Sequence, residues 1–176
     1  MNDIIRKPMP ASLLWLSGIT LAFLGLQVGI NQFLQTTAAP QGMLSFQLAT
    51  TSEVATRIVE SWSGSGWPLA SLGTGFVFAA VYTVLLILLT NHLLVDRPGV
   101  RERKTGRWVR RLFVTAGITH VIEYSLLLAN LDTPSDRLSL SATLLALVNY
   151  TALLMGAAGL VVIRAARRHP PDASRA

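Results

Sequence analysis

The stretch WPLASLGTGFVFAAVYTVLLILLTNHLL, residues 67–94, contains no Asp, Glu, Lys or Arg. A helix needs about 20 apolar residues to cross roughly 30 Å of hydrocarbon, and this segment exceeds that length. Three further stretches qualify, about Ala11 to Leu34, Val109 to Asn130 and Leu138 to Ile163. Apart from Arg110 and Arg111 at the entry of the third, the only charged side chain inside the four is Glu123. Each span therefore satisfies its backbone polar groups within its own helix. The predicted fold is all-α: a four-helix transmembrane bundle.

The composition of the 176 residues agrees, with 51% hydrophobic and only 14% charged residues and a mean hydropathy of +0.48. Water-soluble domains carry about 25% charged residues, so much of this surface is expected to face the lipid bilayer. The absence of cysteine excludes disulfides, thiolate catalysis and Cys-zinc sites.

The net charge of +6 is sorted by membrane side. Arg6 and Lys7 precede the first span; Arg97, Arg101, Arg103, Lys104, Arg107, Arg110 and Arg111 surround the second connection; Arg164, Arg167, Arg168 and Arg175 follow the fourth span. Only Arg57 and Arg137 fall on the other side. The bias of basic residues toward the cytoplasm predicts an N-in/C-in chain. These basic runs read as topology signals and contacts for anionic headgroups; with Trp108 as the one aromatic among them, no nucleic-acid partner is expected. Residues 1–168 form one membrane domain, and the tail at 169–176, which includes His169, reads as disordered and cytoplasmic.

The first span also resembles a secretory signal, with Thr37-Ala38-Ala39 as a small-residue cleavage site. Its apolar run is longer than the 7 to 15 residues typical of such signals, which favours a retained helix.

The first outer connection, Gln35 to Gly66, is too long for a simple hairpin. Thr50 and Glu53 have capping-box spacing, and Val54, Ile58 and Trp62 recur every four residues, predicting an amphipathic helix over about 51–62. It is expected at the outer interface with Trp62 at headgroup depth and Arg57 and Glu60 toward water. Met43, Leu44, Phe46 and Leu48 before it are apolar enough to dip into the mouth of the bundle.

Small residues mark where membrane helices approach closely. Three stripes are visible: Gly18, Ala22, Gly25 and Gly29; Ser71, Gly75, Ala79 and Thr83; Ala142, Ala146, Asn149, Leu153 and Gly156. Together they predict a closely packed antiparallel bundle, with Gly25 and Gly29 as an alternative seam for a homodimer.

The chemically unusual face is on the third span. Phe113, Ala116, His120, Glu123, Tyr124 and Leu127 share one side of the helix. At about 1.5 Å per residue from Leu112, Glu123 lies roughly 16 Å into the membrane, near the midplane. Asn149 and Tyr150 on the fourth span reach a similar depth. The candidate ligand-binding group is therefore His120, Glu123, Tyr124, Asn149 and Tyr150. An intramembrane acid is costly and is usually paired and turned inward. One reading is a pocket for a proton, a small cation or the polar head of a lipophilic molecule. The other holds Glu123 neutral, or paired with His120, and hydrogen-bonded to Asn149 or Tyr150 to fix helix register.

One His-x-x-Glu supplies too few ligands for a metal centre, and His92 lies too far from His120 along the membrane normal to share a haem iron. No cofactor or metal is expected. Catalytic triads, phosphate loops and HExxH are absent from the sequence, so no enzyme is expected.

Several of these residues carry a resemblance. The loop run Phe46-Gln47-Leu48-Ala49 with Trp62, the second-span run Leu72-Gly73-Thr74-Gly75-Phe76-Val77-Phe78 with Tyr82, and His120-Val121-Ile122-Glu123-Tyr124 followed by Leu126 to Leu128 are similar to a family of small uncharacterised bacterial four-helix integral membrane proteins. That family has a Phe-Glu-Leu-Ala-like outer-loop run, a Leu-Gly-x-Asp-Phe-Leu-Phe second helix and an Asp-x-x-Glu-Asn third helix. The resemblance covers roughly residues 46–128 and implies a divergent member in the bacterial inner membrane. It implies topology and no reaction. The family's loop Glu is Gln47 here, its second-helix Asp is Gly75, and its third-helix Asp and Asn are His120 and Tyr124, which leaves Glu123 as the one acid kept. Were the family's acids a cation site, these replacements would remove or alter it.

Two functions from different classes follow. The first is a non-catalytic partner subunit or assembly scaffold, and it is the favoured one. The second is a binding or transport element built around Glu123. A lone transporter is disfavoured because four spans show neither an inverted repeat nor a broken helix. The partners expected are lipid and either another membrane protein or a second copy of the chain.

Overall fold

The computed structural model describes residues 9–95 and 100–166. Arg6, Lys7, Arg97, Arg167, Arg168, His169 and Arg175, and with them the predicted disordered tail, lie outside the described residues. Within them the chain forms six helices and no strand: α1 (Ala11–Gln32), α2 (Met43–Gln47), α3 (Ser52–Ser61), α4 (Trp67–Leu94), α5 (Val100–Asp132) and α6 (Asp136–Ala166). Four of them, α1, α4, α5 and α6, are long and apolar enough to cross a membrane. The protein is thus an all-helical, multi-pass membrane protein.

Each long helix packs chiefly on its neighbour in sequence: α1 on α4, α4 on α5, α5 on α6. The α5–α6 hairpin is set by Asn130, whose Nδ2 donates to Ser139 Oγ at 3.0 Å while its Oδ1 accepts from the Ser135 backbone at 3.0 Å. Small residues let the helices close. A Cβ on Gly117 would strike Thr83, one on Gly156 would strike Phe113, and one on Gly75 would strike the ring of Tyr124. The predicted stripes on α4 and α6 therefore lie at helix contacts.

The stripe on α1 does not. Gly18, Ala22, Gly25 and Gly29 are all exposed, and nothing lies within 4 Å of a Cβ placed on any of the three glycines. The buried side of α1 carries Leu13, Ile30 and, just beyond its end, Leu34. Gln27 on that side donates to the Ser71 carbonyl at 3.1 Å, and Phe33 stacks on Trp67 at 4.4 Å, so the end of α1 meets the start of α4. Larger side chains and one amide, rather than glycines, make this contact.

The outer connection folds onto the bundle. Gly42 has φ +61 in a space filled by Asn31, whose Oδ1 accepts from Met43 N–H at 2.8 Å, pinning α2 to the end of α1. The cap of α3 is Thr51, accepting from Val54 N–H at 3.4 Å, one residue after the Thr50 expected. Trp62 is turned into the protein: it is 4% exposed, edge-on to Phe46 at 5.6 Å, and donates Nε1–H to the Leu34 carbonyl at 2.8 Å. The carbonyl left open at the end of α1 needs a donor, and the indole supplies one from inside the cluster. Arg57 and Glu60 are exposed as expected.

Candidate functional site

The site forms where α4, α5 and α6 meet beneath α2. On α5, positions three and four apart put Phe113, Ala116, His120, Glu123, Tyr124 and Leu127 on one face, and all six are buried. Glu123 is 0% exposed.

From α6, Asn149 projects into the same layer, with its Nδ2 3.1 Å from His120 Nδ1. From α4, the Tyr82 hydroxyl donates to Asn149 Oδ1 at 3.4 Å. The His120 ring lies between two tyrosines, with centroids 4.2 Å from Tyr124 and 5.7 Å from Tyr82. Above this layer, α2 closes the site with Gln47. Thr143 of α6 donates to the Gln47 carbonyl at 3.0 Å and so holds that residue over the bundle. The Gln47 side chain then accepts from Tyr150 O–H at 2.9 Å and donates to the Tyr124 hydroxyl at 3.5 Å.

All five predicted residues converge, although Tyr150 is 38% exposed and belongs to the rim. Their bonding differs from the expectation. Asn149 is engaged with His120 and Tyr82, and Tyr150 with Gln47, so neither holds Glu123. His120 and Glu123 are neighbours on the helix without a bond between them.

Gln47 is the polar neighbour of the carboxyl group, yet among the described residues neither Glu123 oxygen has a partner of hydrogen-bonding geometry. His120 Nε2 and Thr83 Oγ1 are likewise buried and unpartnered. Four buried polar atoms in one part of a membrane bundle are an unmet demand for hydrogen bonds or charge, because lipid offers neither.

Gln47 and Tyr82 were not in the predicted set. Tyr82 falls one turn along from Ala79 in the small-residue stripe of α4, a position that faces α5. Gln47 carries no periodic signal, since it enters from a five-residue helix whose docking depends on Asn31 and Thr143. Gln47, Gly75, His120 and Tyr124 are side by side: Tyr124 touches the other three. No protein-family model, no curated protein and no solved structure matches the chain.

Proposed function

We propose that the protein is a non-catalytic protein of the bacterial inner membrane, with both ends cytoplasmic, whose buried cluster holds a single positive charge at Glu123. The guest is a proton or a small monovalent cation. The observation that carries this reading is the fully buried carboxyl group with both oxygens unpartnered. A lone ionised carboxylate in hydrocarbon costs several kcal/mol unless charge or hydrogen bonds compensate it. A divalent ion is disfavoured, because it wants several acidic or carbonyl oxygens and the cluster has one acid. The head of a quinone or lipid is disfavoured too, since the tyrosines and Gln47 close around the acid and the helices would have to part.

The test is the thermal unfolding midpoint of detergent-solubilised protein across pH and across Li+, Na+ and K+ concentrations. A guest that binds only the folded state raises the midpoint as its concentration rises. Wild type should show such a dependence on one of these cations or on protons; Glu123→Gln should fold and lose it, whereas the exposed Glu53→Gln should keep it. A wild-type midpoint indifferent to all four would reject the proposal.

A second reading, a scaffold or partner subunit with the cluster as a register device, is supported by the ties Tyr82–Asn149–His120 and Tyr150–Gln47–Tyr124, which link α2, α4, α5 and α6. It predicts a wild-type midpoint indifferent to the cations and a lower one in His120→Ala, which cuts the tie between α5 and α6.

A further inference from the structure

At the end of the bundle opposite the outer connection, α5 begins with a polar segment, Val100 to Arg111, before its apolar part starts at Leu112. The last turn of α4 crosses it closely: a Cβ on Gly106 would meet the Leu94 side chain. Beside this crossing lies a groove of about 620 Å³ lined by Asn91, Leu94, Val100, Arg103, Arg107 and Arg110. A second lobe of about 590 Å³ shares Arg107 and Arg110 and adds Trp108, Arg111, Val114 and Thr115.

Arg110 is held in place. Its Nη1 donates to Asn91 Oδ1 at 2.9 Å, which orients the guanidinium and, among the described residues, leaves other N–H donors of its fork without a partner. Arg111 lies over the Trp108 ring at 5.6 Å. Among the described residues no carboxylate pairs with these arginines; the ion pair present, Arg57 with Glu53, is on α3. Val114 is about 10 Å farther along the helix than Arg107 and faces outward at 40% exposure, as does Trp108 at 56%.

We propose that this two-lobed groove binds one anionic phospholipid, its phosphate clasped by Arg107 and Arg110 and an acyl chain lying over Val114. Guanidinium forks match phosphate oxygens, and Trp at the membrane interface suits the boundary between headgroup and chain. A free anion uses only the charged half of such a site. The apolar side at Val114 is what a lipid adds. The inference rests on the membrane reading and is independent of the Glu123 cluster.

The experiment is native mass spectrometry of delipidated protein titrated with phosphatidylglycerol or phosphatidylcholine. Phosphatidylglycerol should be retained in preference. The double variant Arg107→Gln/Arg110→Gln should bind it roughly 25-fold more weakly, as expected for two basic contacts near a membrane surface. Lys104→Gln removes a charge from the same helix at an exposed position outside the groove and should leave binding close to wild type. Equal retention of the two lipids by wild type overturns the proposal without reliance on any variant. So does a loss in Lys104→Gln equal to that of the double variant, or full displacement of the lipid by inorganic phosphate.

Discussion

Gly75 shows how much one missing methyl group matters. The Tyr124 ring occupies the place a Cβ would take, and through that ring the position reaches His120 and Gln47. Gly75→Ala should cost about 1–3 kcal/mol, since a buried aromatic ring must move in a packed layer. Gly25→Ala meets nothing within 4 Å and should be neutral or stabilise slightly, because alanine is the better helix former. Unfolding in graded denaturing detergent, followed by circular dichroism, measures both. Equal effects at the two glycines would contradict the packing described. The sequence places His120, Glu123, Tyr124, Asn149 and Tyr150 in one layer, because helical spacing and depth are read directly from residue numbers. It does not reveal which polar atom meets which. The pairing of Asn149 with His120 and Tyr82 depends on side-chain rotamers and on helix rotation, which periodicity does not fix.

At the scale of elements, legibility follows the strength of the local signal. The spans emerge from hydropathy with boundaries within a few residues, and α5 differs mainly in starting at Val100, because its polar first turns carry no membrane signal. On α1 the glycine stripe points the wrong way. Glycine permits close approach without supplying attraction, and here Gln27, Phe33 and Ile30 decide the contacting face. Nothing in the local pattern around Trp62 shows that its indole bonds a carbonyl 28 residues earlier. Trp62→Phe keeps the ring against Phe46 and removes the donor to Leu34. The stranded carbonyl should cost about 1–3 kcal/mol. Hydrogen exchange at the α1–α2 junction checks this: protection should fall there first and remain in α5 and α6. Unchanged protection at the junction would mean that the indole bond does not anchor the loop.

At the scale of the whole molecule, an acid that avoids lipid and a basic groove that seeks it both depend on the same arrangement in the bilayer. Four crossings place the outer connection and the α5–α6 turn on one side and the α4–α5 connection on the other. The chain contains no cysteine, so single cysteines introduced at Arg57, Lys104 and Arg137 can be labelled without background. The decisive measurement is reaction of these three variants in intact cells with a membrane-impermeant thiol reagent. Arg57→Cys and Arg137→Cys should react from outside, and Lys104→Cys only after permeabilisation. Labelling of Lys104→Cys in intact cells, or opposite behaviour at positions 57 and 137, would contradict four crossings with both ends inside.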